Sequence, residues 1–100
     1  KTVFPVRACL YLAKAKLEGA TLIEATLRNA SLKDADLRGA SLTETTMRGA
    51  GLVVADLQQA DLQGANLIRA DLRGAIVTDE QLSQAKSLKG AVMPDGSIHP

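Results

Sequence analysis

One imidazole and one thiol are the most reactive side chains in this 100-residue sequence, and they stand near its opposite ends. His99 is next to the last residue, where a solvated ring is expected rather than a general base or a metal ligand. Cys9 has no second cysteine for a disulfide and no histidine close in sequence to activate it, so it reads as a half-buried residue at the start of the fold. The carboxylates that suggest a metal site, Asp56, Asp61 and Asp71, recur at multiples of five residues and are better explained as turn formers. The glycines keep a related beat and make no phosphate-cradling loop. Aromatic residues are 2% of the chain, so there is no platform for stacking bases. These types and spacings imply no catalytic constellation, no metal and no cofactor. The expected function is not that of an enzyme.

The beat itself is the main content of the chain. From Ala15 it reads in fives: Ala-Lys-Leu-Glu-Gly, Ala-Thr-Leu-Ile-Glu, Ala-Thr-Leu-Arg-Asn, and so on to Asp79. One further unit, Leu10–Lys14, precedes it. The central residue is Leu except at Met47 and Val77, and the residue two before it is Ala except at Leu10 and Thr45. On a helix, at ~100° per residue, five steps leave successive leucines ~140° apart, so no apolar stripe forms. On a continuous strand an odd period throws alternate leucines to opposite faces. The pattern closes only if the chain turns a corner every five residues. Ala and Leu, two apart, then point together into a shared interior.

The remaining positions fit such corners. Between Ala and Leu stand short polar residues such as Thr21, Thr26, Ser31, Asp36, Asp56 and Asn66, which can bond nearby backbone. The last position of the unit holds Gly19, Gly39, Gly49, Gly64 and Gly74, with Asn29 and Asp34, as the second central residue of a type II turn requires. Val54 stands at the same position, and a different turn is expected there because a β-branched residue resists positive φ. Thr45 and Met47 read as packing variants, with the Thr45 hydroxyl needing an internal partner.

The tandem A-[DNTS]-L-x-x run over residues 10–79 strongly resembles the pentapeptide-repeat family. That resemblance implies an all-β solenoid: a right-handed quadrilateral parallel β-helix, twenty residues per coil and about three and a half coils. At the ~4.8 Å spacing between strands, the stack is on the order of 17 Å tall. Residues 1–9 are expected to cap the first coil, with Phe4, Val6 and Leu10 as cover, either extended or as a short helix with Pro5 in its first turn. Residues 80–100 are expected to form a short C-terminal α-helical cap and a tail. Thr78-Asp79-Glu80-Gln81 reads as a capping box, and Leu82, Ala85 and Leu88 recur at helical spacing, which predicts a helix over about 79–89. Lys86 and Lys89 then fall in its last turn and Gly90 stops it. The following Met93-Pro94-Asp95-Gly96 is a turn, and a helix with this tail is similar to that of cyanobacterial members of the family.

Surface charge is where function is sought. The formal net charge of +1 gives no field to draw in nucleic acid or an anionic membrane, and no segment is apolar enough to span a bilayer. Stacking residues twenty apart segregates charge. Arg28, Arg48 and Arg69 share a face without acids, while Glu24, Glu44 and Asp61 share the preceding face without bases. These six residues are the candidate interaction surface. The other two faces mix signs, through Lys33, Asp34, Asp71 and Arg73, and through Lys16, Glu18, Asp36, Arg38 and Asp56. Val53, Val54 and Tyr11 form a small apolar patch. The expected function is a non-enzymatic structural or protein-interaction module. Its partner is expected to be another protein, with no nucleic acid and no membrane, and its state a monomer or weak dimer. The alternative implied by the family, a DNA-mimicking gyrase binder, is disfavoured: residues 10–79 hold eight basic and nine acidic side chains, far from a polyanion. The sequence has no initiator Met and no leader pattern. A cytoplasmic location is favoured, with a processed lumenal or periplasmic form as the alternative.

Overall fold

The computed structural model of the chain describes residues 10–100. Each five-residue unit closes one corner. The N–H at the alanine position donates to the carbonyl of the preceding central residue, as in Ala30 N to Leu27 O at 3.0 Å. The residue before that alanine has positive φ at every corner from Lys14 to Gly74, between 58° and 71°. Those are type II turns. Parallel bridges join residues twenty apart, such as Tyr11 to Ser31 and Lys16 to Asp36. Four corners per bridge interval make a four-sided coil. Each side is only three residues long between corners, so it contributes one bridging residue rather than a long strand.

The sides are named here by their first outward residue. The Tyr11 side stacks residues 11, 31, 51, 71 and 92, the Lys16 side 16, 36, 56 and 76, the Thr21 side 21, 41 and 61, and the Thr26 side 26, 46, 66 and 87. Within a stack, backbone bonds run both along the sides and through the corners: Leu27 N donates to Thr46 O at 2.8 Å, and Asn29 N to Arg48 O at 2.9 Å. The interior is the column of Leu and Ala. Leu32, Leu37, Leu42, Met47, Leu52, Leu57, Leu67 and Leu72 are buried, while Leu12, Leu17 and Leu22 in the first coil are half-buried. Thr45 is buried too, and its hydroxyl donates to Leu22 O at 2.9 Å, the internal partner it needs.

Two expectations are corrected. Val54 adopts the same turn as its neighbours, with φ of 61°. The coil leaves it no other choice: Val54 N donates to Arg73 O at 2.9 Å, Asp34 N donates to Val53 O at 3.0 Å, and Ala55 N closes the turn on Leu52 O. Positive φ in a β-branched residue costs on the order of 1–3 kcal/mol. Gly74, one coil further on, leaves space for the Val54 side chain.

The C-terminal helix, α1, spans only Asp79–Ser83. Its capping box is as expected: Gln81 N donates to Thr78 Oγ1 at 3.1 Å, and Thr78 N donates to Gln81 Oε1 at 2.9 Å. Gln81 Nε2 also donates to Leu57 O at 2.6 Å and Ala60 O at 2.9 Å, which ties α1 to the last full coil. Leu82 is buried in the position of a central leucine. Beyond it the chain returns to the ladder rather than continuing as helix. Leu82 to Ala85 and Leu88 to Ala91 close corners like those of the repeat, and Ser87 and Val92 bridge Asn66 and Asp71. Gly90, with φ of 73°, is therefore a coil corner and not a helix stop, and Lys86 and Lys89 lie on the coil. One residue inserted between Ala85 and Leu88 shifts the bridge offset from twenty to twenty-one. The tail then turns at Met93–Gly96 and pairs antiparallel, Val92 with Ile98. His99 N donates to Ala91 O, so His99 sits half-buried on a docked tail instead of a free one. The expected N-terminal cap and Cys9 lie outside the described residues.

Candidate interaction surface

The outward residue of each side is two positions before the first corner residue, close enough for its side chain to reach that residue. Where it is Asp or Asn, it does so. The carboxylate or amide oxygen of Asp36, Asp56, Asp61, Asn66 and Asp71 accepts from the backbone N–H two residues on, at 3.0–3.2 Å. This is the Asx-turn role expected for these residues, and it occupies a donor that the ladder leaves over. If the residue two on is arginine, the same carboxylate also takes the guanidinium. Arg38 Nη2 lies 2.7 Å from Asp36 Oδ2, and Arg73 Nη2 lies 2.7 Å from Asp71 Oδ2. Arg38 also reaches Glu18 and Asp56, at 3.6 and 3.9 Å.

These bonds act on protonation. The side-chain hydrogen bond from Arg38, with help from the Arg38 N–H, holds Asp36 down to about 2 against a smaller opposing effect of desolvation. The bond from Arg73 likewise lowers Asp71, and the Ser97 hydroxyl and N–H lower Asp95. Asp36 with Arg38 on the Lys16 side and Asp71 with Arg73 on the Tyr11 side therefore neutralise each other locally.

The Thr26 side is built differently. Its acids stand at the corner where the chain enters it, and its bases at the corner where it leaves. One rung reads Glu24, Thr26, Arg28 and the next Glu44, Thr46, Arg48, stacked by the bridge between Thr26 and Thr46. Glu24 and Arg28 are four residues apart, at opposite edges of the side, and do not pair. Among the described residues, the ion pairs within 4 Å involve Arg38 and Arg73 only. Like charges therefore lie above one another, Glu24 with Glu44 and Arg28 with Arg48, an arrangement that is unfavourable in a sheet.

Four of the six candidate residues thus flank one side. The other two do not join them. Asp61 sits at the middle of the Thr21 side with its carboxylate on Gln63 N at 3.0 Å, and Arg69 lies across the corner from the Arg28 column. Lys89 was missed as a member of that column, because the helical reading hid the returning coil. The bridge of Asn66 with Ser87 places it one rung above Ile68.

No reactive cluster competes with this surface. Among the described residues, no three of His, Cys, Asp and Glu converge on a metal-sized site. A groove beside α1 is lined by Gln58, Gln59, Asp61, Ile76, Thr78 and Gln81, amide, hydroxyl and apolar groups with a single carboxylate already used in a turn. Val54 and Tyr11 are exposed as expected, but they lie on different rungs and different positions of the Tyr11 side.

Comparison with known proteins adds the following. Residues 11–50 and 52–86 match the family of Pentapeptide repeats in eight copies. Among solved structures, the chain is similar to HetL, a pentapeptide repeat protein involved in heterocyst differentiation regulation from the cyanobacterium Nostoc sp. strain PCC 7120. The identity is 43% and the TM-score 0.50, over 89% of this chain and 43% of HetL. It is also similar to a second pentapeptide repeat protein from Nostoc PCC 7120, at 35% identity and a TM-score of 0.54, over 80% of this chain and 65% of the other. The chain thus spans less than two thirds of either. No curated protein sequence matches it.

Proposed function

The chain belongs to the pentapeptide-repeat family, and on that premise we propose that it is a non-enzymatic protein-interaction module whose contact surface is the Thr26 side with its Glu24/Glu44 and Arg28/Arg48 edges. Proteins of this family are generally structural or interaction modules and fold as right-handed quadrilateral β-helices. On this reading the chain winds with the same hand through the four bridge intervals from Tyr11 to Val92, more than the three and a half coils expected, with α1 set into the last coil and the tail paired against Val92. One observation carries the proposal: two like-charged columns stand side by side, each without an ion-pair partner among the described residues. Other charges unpaired among the described residues, such as Lys16, Lys33 and Asp34, do not form two opposed like-charged columns, so this side offers a pattern that a partner can match. HetL is described as involved in regulation, a role compatible with binding rather than catalysis. Nothing favours the gyrase-binding alternative, which calls for an acidic surface where this chain displays arginines.

A photo-crosslinking side chain placed at Thr26, and in separate variants at Ser31, Asp36 and Thr21, tests the surface in cell extract of the source. Adducts with protein, whether another chain or this one, are expected to concentrate at position 26 and to fade in an Arg28→Glu/Arg48→Glu background. Adducts spread evenly over the four sides, or absent at position 26, would overturn the proposal.

A further inference from the structure

We propose that the partner seated on the Thr26 side is a second copy of this chain, docked side to side with the two towers parallel. The inference rests on the preceding reading of that side as the contact surface, and three features of the surface select this occupant.

The first is pitch. Glu24 and Glu44, like Arg28 and Arg48, are separated by one rung, ~4.8 Å in a parallel β stack. Consecutive same-side residues of an extended peptide are ~6.6 Å apart, and turns of an α-helix ~5.4 Å. A partner that keeps opposite charges level with both rungs is another stack of parallel rungs. This chain carries such a stack, with both signs at the required rise.

The second is symmetry. Consider a two-fold axis parallel to the tower, running outside the centre line of the Thr26 side. Rotation about it exchanges the two edges and preserves rung height. Glu24 then faces Arg28 of the second copy and Glu44 faces its Arg48, and the reciprocal pairs form on the other edge. Four ion pairs result from a self-complementary patch, as a closed two-fold dimer demands. A two-fold axis perpendicular to the tower, which would make the towers antiparallel, keeps each edge on its own side. It sets Glu against Glu and Arg against Arg. Charge therefore chooses the parallel arrangement and rejects the other.

The third is relief. The centre line carries Thr26, Thr46, Asn66 and Ser87, short polar side chains that let two sides approach closely and meet their own copies across the axis. Gly64 presents no side chain one rung above Glu44, and the Glu44 carboxylate lies in the space that a side chain there would fill. The patch is one side of a slender coil and falls short of the ~800 Å² per partner of a typical stable complex. The dimer is accordingly weak, formed at high concentration, and sensitive to salt because its pairs lie at the rim of a small contact.

Sedimentation equilibrium on the full chain tests this, with two charge variants. Arg28→Glu/Arg48→Glu makes both edges acidic, and Glu24→Arg/Glu44→Arg makes both basic. Wild type is expected to self-associate at about 20 mM NaCl and to weaken about tenfold or more by about 500 mM. Each variant alone should lose self-association, and an equimolar mixture should regain it. In a Cys9→Ser background, Thr26→Cys should form a disulfide-linked dimer on mild oxidation, whereas Thr21→Cys should not. Wild type that stays monomeric at low salt, or Thr26→Cys that links no faster than Thr21→Cys, overturns the self-partner. If position 26 still photo-crosslinks to a different protein in that case, the surface reading survives while the second copy is eliminated. If position 26 gives no adduct at all, both fall.

Discussion

The Lys16 and Thr26 sides are made of the same kinds of residue on the same backbone, yet they end in opposite electrostatic states. On the Lys16 side, Asp36 and Arg38 are two apart, so one carboxylate binds the corner N–H and the guanidinium together. On the Thr26 side, Glu24 and Arg28 are four apart, at opposite edges, and neither finds the other. An acid on the centre line with an arginine two residues on, as in Asp36–Arg38 and Asp71–Arg73, is consumed within the side, whereas Glu24 and Arg28, four apart, do not pair. Spacing and the acid's place on the centre line, rather than charge content, decide which opposite charges of one rung pair.

The comparison requires that the two sides differ only at the surface, and the core offers the sharpest check. Leu57 lies behind Asp56 on the Lys16 side and Leu67 behind Asn66 on the Thr26 side, and both are buried. Truncation to Ala is expected to cost about 2–5 kcal/mol at either position. Denaturant melts that showed one costing several-fold more than the other would mean that the sides differ in depth as well. A smaller effect is expected at Val54, where the corner geometry overrides residue preference. Val54→Asn keeps a side chain that tolerates φ near 61° and should stabilise the chain by about 1 kcal/mol. A loss of melting temperature there would show that the valine makes contacts worth more than its strain.

The smallest effect distinguishes the sides through pH. Asp36 titrates near 2 in the folded chain against 3.8 without its partners. A depressed carboxylate stabilises the fold fully above its unfolded value, and that contribution disappears as pH falls from about 4 through about 2. Asp36→Asn should therefore flatten the acid limb of a melting-temperature profile over that window and leave a shallower slope. An unchanged profile would show that the Arg38 contact does not persist in solution.

Most of the architecture was legible because one rule generates it. The Ala-x-Leu phase, set against helical and strand periods, left only a cornered coil, and Thr78 with Gln81 announced where α1 begins. The two misreadings have local causes. Leu82, Ala85 and Leu88 satisfy helical spacing, but Leu-x-x-Ala is also the corner spacing of the repeat, and backbone pairing with the coil below favours the corner. Ala91-Val92-Met93 resumes the repeat in a phase shifted by one, a signal present in the sequence but masked by the insertion before Leu88. The intrinsic preference of Val54 opposes positive φ, but ladder bonds from both neighbouring coils fix its conformation. The candidate surface was legible as columns of charge. Which charges pair was not, because it depends on whether two residues share a corner or face each other across a side. Asp61 and Arg69 show the difference: both carry the right sign, but neither stacks in the Glu24 or Arg28 column or stands on the Thr26 side.

A pair of double-mutant cycles measures that dependence on spacing most directly. One cycle pairs Asp36→Ala with Arg38→Ala, the other Glu24→Ala with Arg28→Ala, each followed by chemical denaturation of dilute protein at low salt. The account predicts a favourable coupling beyond error for residues 36 and 38 and no coupling for residues 24 and 28. A coupling between 24 and 28 equal to or larger than that between 36 and 38 would contradict it.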